Sequence, residues 1–257
     1  MVEGVPEMAR TLLGLWTWLA FAVISAIGFC VCLVIFFVTA PFDPTRKCTG
    51  KAIRTVGRLM CGAVPAWSFR VVPPLPERAP SRTVCISNHA SNIDPFALLA
   101  LPWEMKFLAK SVLFRIPFVG WGIGIAGDIP LVRGSSQSVK KALARAKFYV
   151  ERGMPVLFFP EGTRSKDGTL LPFKDGAFRL AIECQADILP IAIAGTRKAL
   201  QKGDWRPSPA RGWIRVGEPL STQGMTLEDV GRLKEATRTR VAELLEALNA
   251  AHPEQAL

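Results

Sequence analysis

From Thr11 to Phe42 the chain carries no charged side chain. Wound as an α-helix, that run is about 48 Å long, against a bilayer hydrocarbon core of about 30 Å. The competing explanation is a buried helix of a soluble core, and the length argues against it. The run is read as a membrane segment that either crosses once with tilt or lies partly within one leaflet, up to the break at Pro41-Phe42-Asp43-Pro44. Arg46, Lys47, Lys51, Arg54 and Arg58 follow it, whereas Glu3, Glu7 and Arg10 precede it, which favours a cytoplasmic C-terminal side. A cleaved signal peptide would have a basic start, a shorter apolar stretch and a small-x-small site, so the run is expected to stay as an anchor.

With this run set aside, 257 residues still leave enough chain for one sizeable domain with its own core. The net charge of +11 calls for an anionic partner. Nucleic acid would need a basic face interleaved with aromatics or a recognisable module, and neither occurs. Anionic lipid headgroups fit better, since a basic surface beside an anchor gains roughly 1 kcal/mol per Lys or Arg near the bilayer. The six cysteines form no Cys-x-x-Cys pair, and two of them, Cys30 and Cys32, lie inside the apolar run. They read as small buried hydrophobes in a reducing compartment rather than as disulfides or zinc ligands.

Three regions follow: 1–63, an anchor with an interfacial helix; 64–80, a Pro-rich connector; and 81–257, the catalytic body. In residues 46–63, Ile53, Val56, Leu59 and Met60 take one helical side and basic residues the other. Beyond the connector, strand candidates Thr83–Ser87, Lys106–Ala109, Ile129–Val132, Val156–Phe159, Ile188–Ala194 and Trp213–Val216 alternate with helical patterns such as Gln137–Arg152. That alternation predicts an α/β fold with a mixed, mainly parallel sheet flanked by helices. A last helix over Thr226–Asn249 opens on a capping-box pattern, Thr226-x-x-Asp229, and carries a leucine and valine stripe suited to core packing.

The chain has two histidines, and His252 sits in a polar tail. Any imidazole proton chemistry therefore falls to His89, in Ser87-Asn88-His89-Ala90-Ser91-Asn92-Ile93-Asp94 at the end of a strand. Histidine exchanges a proton near neutral pH, and a nearby carboxylate can fix its tautomer. Asp94 could equally cap the helix that begins at Asp94-Pro95. A second strand ends in Phe159-Pro160-Glu161-Gly162-Thr163-Arg164-Ser165, whose glycine permits close backbone approach and whose hydroxyls and guanidinium suit a phosphate. A third piece, Gly127-Asp128-Ile129-Pro130-Leu131-Val132-Arg133, ends in an arginine.

In chain order, the pieces resemble the glycerolipid acyltransferases, most closely the 1-acyl-sn-glycerol-3-phosphate acyltransferases. Asn88–Asp94 is similar to that family's Asn-His-x4-Asp block, and Gly127–Arg133 to its second block. Phe159–Ser165 is similar to Phe-Pro-Glu-Gly-Thr-Arg-Ser, and Ile188–Ile193 to the proline-containing fourth block; Lys106–Trp121, with Lys110, also resembles the family. Ala90 stands where the family often has Gln, and Pro130 where it usually has Phe.

The resemblance implies that His89 is the general base and Asp94 its orienting carboxylate, acting on the sn-2 hydroxyl of 1-acyl-glycerol 3-phosphate. Lys110, Arg133 and Arg164, with Thr163, would bind the acceptor phosphate in a pocket shaped by Glu161 and Gly162. It also implies acyl-CoA or acyl-acyl carrier protein as co-substrate, no cofactor or metal, and a catalytic domain on the cytoplasmic face of a membrane, the inner membrane in a bacterium. Other lysophospholipids or glycerol 3-phosphate are alternative acceptors, and a non-catalytic lipid-binding protein is the alternative class.

Gly122-Ile123-Gly124-Ile125-Ala126-Gly127 matches a dinucleotide fingerprint, but it leads into a strand rather than out of one. A Gly-x-Ser-x-Gly elbow is missing, which leaves Ser91 and Cys85 near His89 as the only hydrolase-like option.

Overall fold

Every residue of Thr83–Ser87 is buried, as befits a strand covered on both faces. The computed structural model describes residues 6–165, 167–201 and 203–253, so Glu3 lies outside the described residues. In chain order its elements are α1 (Glu7–Thr39), α2 (Lys47–Gly62), β1 (Trp67–Val72), β2 (Thr83–Ser87), α3 (Asp94–Ala97) and β3 (Lys106–Lys110). There follow α4 (Val119–Ile125), β4 (Ile129–Leu131), α5 (Ser136–Glu151), β5 (Val156–Phe158), α6 (Gly176–Glu183), β6 (Asp187–Ala194), β7 (Ala210–Val216) and α7 (Val230–Ala251).

The strands form one seven-stranded sheet in the order β1-β7-β6-β2-β5-β3-β4. Every neighbouring pair is parallel except β6 with β7. This is the α/β, mainly parallel architecture expected from the alternation. Helices α5, α6 and α7 bury Ala146, Tyr149, Phe178, Leu233 and Val241 against one side of the sheet. Leu98, Trp103, Met105 and Phe107 fill the other side. The capping box of Thr226 and Asp229 forms at the start of the C-terminal helical segment. Leu227 departs from the expected core stripe and is exposed.

One strand escaped the sequence pattern. Within 64–80, read as a Pro-rich connector, Trp67–Val72 pairs in parallel with Ala210–Arg215 at the sheet edge, leaving 73–80 without regular structure. An edge strand in which Trp67 alone is fully buried, containing Arg70 and running into prolines, gives little local signal.

The amphipathic reading of α2 also needs correction. Arg54, grouped with the basic side of an interfacial helix, is buried. Its NH1 donates to Asp128 Oδ2 at 2.8 Å, its NH2 donates to Asp128 Oδ1 and to the Met105 carbonyl, and Glu104 lies beside its Nε. Burial alone would depress the guanidinium, yet Asp128 and Glu104 hold it above its ordinary value. Lys106, fully buried in β3, donates to Glu104 Oε1 at 2.9 Å and to the carbonyls of Arg46 and Ala126. Burial still lowers its ammonium, with Glu104 opposing. This ion cluster fixes α2 to the body.

Helix α1 inverts the pattern of a soluble amphipathic helix. Its inward stripe is small and polar, with Gly14, Thr17, Ser25, Gly28 and Cys32 buried, while Leu12, Leu19, Ile27, Val31, Val34 and Phe37 point outward. Small residues let backbones approach closely, and a Cβ at Gly28 would meet the Val56 side chain. Such a helix is long and apolar enough to cross a membrane. All six cysteines are free; Cys32, Cys85 and Cys184 are buried as read, whereas Cys30 and Cys48 are exposed.

Candidate active site

Parallel strands β2, β5, β3 and β4 all deliver their carboxyl ends to one edge of the sheet, where α/β folds place their sites. His89 follows β2, Glu161–Arg164 follow β5, Lys110 closes β3 and Arg133 follows β4. Neighbouring strands lie about 4.8 Å apart, so Lys110 stands two strands, roughly 10 Å, from the histidine's strand and Arg133 three.

The loop carrying His89 is held from several sides. Asn88 donates its amide to the Ile193 carbonyl at 2.9 Å and accepts from the Ile193 N–H at 2.8 Å, extending the β2–β6 ladder with a side chain. The His89 N–H donates to Glu161 Oε1 at 2.8 Å, and the His89 carbonyl accepts from the Ser165 N–H at 2.8 Å. Its imidazole stacks on Phe159, with ring centroids 4.2 Å apart. Nδ1 lies 2.8 Å from Asp94 Oδ2, leaving Nε2 available to a substrate. The Nδ1–H tautomer is the one that this carboxylate favours.

Asp94 is buried and does not cap its helix; Ile93 takes that position. Its Oδ2 accepts from the Ala90 and Ser91 N–H groups at 2.7 and 2.8 Å as well as from His89. Oδ1 accepts from the Thr196 hydroxyl, which no sequence motif signalled. The five-residue spacing therefore works because the chain turns back over the carboxylate and presents both backbone donors and the ring to one oxygen.

Glu161, expected to shape the phosphate pocket, braces the loop from within. It is buried, and its oxygens accept from His89 N–H and, at 3.2 Å, from Leu171 N–H. Burial raises its pKa above the ordinary glutamate value, opposed by those two backbone hydrogen bonds. Its job is to join the β5 loop to the backbone of His89. Gly162 has φ +67°, and the Lys174 side chain lies against its Cα, so the glycine supplies both a left-handed turn and room for that ammonium.

Lys110 and Arg133 are exposed and Arg164 is half-buried, and none of the three makes a hydrogen bond or ion pair with the described residues. Thr163 is exposed as well. Three uncompensated cations on the same sheet edge as a carboxylate-oriented imidazole suit an anionic substrate with a proton to give up. The hydrolase-like option fails on geometry. Cys85 lies inside β2 with its thiol pushed up to about 12 by burial, and Ser91 Oγ accepts from the Ile93 N–H, with no hydrogen bond to His89 among the described residues. The glycine-rich string falls in α4 and leads into β4, the reverse of a dinucleotide turn.

Residues 73–194 match the Acyltransferase family model. They form an Acyltransferase-family domain. This acyltransferase domain resembles the 1-acyl-sn-glycerol-3-phosphate acyltransferase BAT2, chloroplastic, of Brassica napus, with 43% identity over 120 residues, 47% of this chain and 35% of the relative. It also resembles LPAT1, chloroplastic, of Arabidopsis thaliana, with 34% identity over 190 residues, 71% of this chain and 52% of the relative. The chain thus spans between about a third and half the length of these curated relatives. Among solved structures, the 1-acyl-sn-glycerophosphate (LPA) acyltransferase PlsC from Thermotoga maritima is similar at TM-score 0.79 and 26% identity, covering 95% of this chain and 98% of that one. The α/β architecture around the acyltransferase domain, helix α1 included, is therefore shared with PlsC.

Proposed function

We propose that this protein transfers a fatty acyl group from an acyl thioester, acyl-CoA or acyl-acyl carrier protein, to the sn-2 hydroxyl of 1-acyl-glycerol 3-phosphate, giving phosphatidic acid. The observation that carries this is the His89–Asp94 pair, 2.8 Å apart, set on the same sheet edge as the unpaired Lys110, Arg133 and Arg164. His89 Nε2 accepts the hydroxyl proton while the oxygen attacks the thioester carbonyl carbon. The carbon–sulfur bond then breaks, and the proton passes from His89 to the departing thiolate. General-base help of this kind contributes on the order of 10² to 10⁴ in rate. Asp94 stabilises the transient imidazolium, and the cations, with Thr163, bind the acceptor phosphate.

The membrane acceptor and the anchor belong together. Helix α1 touches the body along its length: Arg10 pairs with Asp204 at 3.1 Å, Trp16 donates to the Ala63 carbonyl, Phe29 meets Trp121, and the Arg46 guanidinium covers Phe36. A helix standing upright through a bilayer would draw these polar flanks into hydrocarbon, which favours α1 lying within one leaflet, the catalytic domain on the cytoplasmic face.

The test is purified protein reconstituted with lysophosphatidic acid and labelled acyl-CoA or acyl-acyl carrier protein, wild type beside His89→Ala. Transfer by the wild type no faster than by the variant would end the catalytic proposal. A parallel screen of lysophospholipids with other headgroups and of glycerol 3-phosphate assigns the acceptor.

A further inference from the structure

Between β3 and β4 the chain runs Ser111-Val112-Leu113-Phe114-Arg115-Ile116-Pro117-Phe118-Val119-Gly120-Trp121, a 3₁₀ turn over Ser111–Arg115 leading into α4. Five large apolar side chains in it are exposed: Val112, Leu113, Ile116, Phe118 and Trp121, from 37% at Phe118 to 56% at Val112. Scattered exposed hydrophobics are ordinary, but five within ten residues of a folded segment mark a contact surface.

The segment is closely packed on itself. Gly120 lies so close to the backbone of Leu113 and Phe114 that a Cβ has no room, and the Gly120 N–H donates to the Ile116 carbonyl at 2.8 Å. Phe118 adopts φ +59° and ψ −59°, with the Val119 N–H donating to the Pro117 carbonyl at 2.6 Å. That is the rare form of the γ-turn, costly for a residue other than glycine. It holds the Phe118 ring 6.1 Å from Phe29 of α1, which also meets Trp121 at 5.7 Å. Through the half-buried Phe29, the exposed apolar residues of this wedge adjoin the side of α1 that carries the exposed Ile27 and Val31.

We infer that Val112–Trp121 is a second membrane-inserting element, which dips into a phospholipid bilayer beside α1. The inference rests on the reading of α1 as bilayer-embedded. Continuity with the outward face of α1 identifies the occupant, and Arg115, the wedge's only charged residue, can reach the headgroups while its stem stays among apolar groups. The wedge starts two residues after Lys110, so its insertion brings the carboxyl edge of the sheet to the bilayer surface. An acceptor lipid can then present its headgroup without leaving the membrane.

The experiment uses the full chain in phosphatidylethanolamine–phosphatidylglycerol vesicles, with and without bromine on the acyl chains. Subtracting the emission of Trp121→Phe from that of the wild type isolates Trp121. Bromine should quench this difference by at least half. A difference signal untouched by bromine overturns the inference, either because aqueous iodide quenches it, placing the wedge in water, or because neither quencher does, placing it under protein. A second arm compares Leu113→Asp/Ile116→Asp with wild type on a bilayer-borne acceptor and on a short-chain acceptor dissolved as monomers. A tenfold or greater loss on the first, with the second within twofold, supports insertion, and equal loss on both overturns it. The quenching arm needs no turnover, so failure of the proposed acyl transfer would leave it readable.

Discussion

Thr196→Val replaces one hydroxyl by a methyl of the same shape, at a position that touches no substrate. Its effect follows from Asp94. That carboxylate is 1% exposed, three donors share its Oδ2, and Thr196 serves its Oδ1. Thr196 is itself 1% exposed, so water cannot take the place of the lost hydroxyl. Hydrogen bonds to charged groups contribute about 1.5 to 3 kcal/mol, so stability should fall by about 2 kcal/mol. In a chain of this size that is a melting shift of roughly 5 °C. The Ala90, Ser91 and His89 contacts still hold Oδ2, so the imidazole should lose orientation rather than its partner. We expect kcat to fall about tenfold, or about 1.4 kcal/mol in the barrier. The KM for lysophosphatidic acid should stay unchanged, because Lys110, Arg133 and Arg164, proposed to bind the phosphate, stand elsewhere on the sheet edge. Thr196→Ser keeps the donor and should restore kcat to within about threefold, less than a kcal/mol. The assay is steady-state kinetics on reconstituted protein beside thermal melts of the same samples. A Thr196→Val protein that melts lower but turns over within twofold of wild type would refute the positioning argument, showing that Oδ2 alone sets the imidazole.

Arg164→Ala should raise the KM for lysophosphatidic acid by about tenfold to a hundredfold, the worth of one charge-assisted hydrogen bond, with kcat and donor KM unchanged. An unchanged acceptor KM removes Arg164 from the phosphate pocket. Burial raises the folded-state pKa of Glu161, so its contribution to stability is complete below the ordinary 4.5 and is lost as pH rises through the elevated value. Melts of wild type and Glu161→Gln between pH 4.5 and 7 should therefore show the wild-type advantage shrinking as pH rises; a constant difference would contradict the raised pKa. Arg54→Met leaves Asp128 buried without its guanidinium and should cost about 3 to 5 kcal/mol in denaturant unfolding. A loss within 1 kcal/mol would mean that the ion cluster does not secure α2.

What the amino-acid order determined was whatever repeats with a local period or rests on a short covalent spacing. The uncharged run from Thr11 to Phe42 announced one long apolar helix, of a length and composition suited to a membrane, because nothing in it breaks the helical pattern before Pro41. The largely apolar runs at 83–87 and 188–194 announced central strands, since a strand covered on both faces is mostly apolar. His89 and Asp94 declared themselves because five residues suffice for one loop to fold a carboxylate back onto a ring.

Tertiary structure alone decided the partners that lie far apart in the chain. Glu161 reaches His89 across 72 positions, Thr196 reaches Asp94 across 102, and Arg54 reaches Asp128 across 74. Each pairing exists because parallel crossovers bring particular strand ends, or a helix and a strand, side by side. Strand order leaves no periodic trace in the sequence, and a lone Glu, Thr or Arg looks the same whether it meets water or a buried partner. The same holds for α1, whose small residues face inward only because α2 and the body need close approach there.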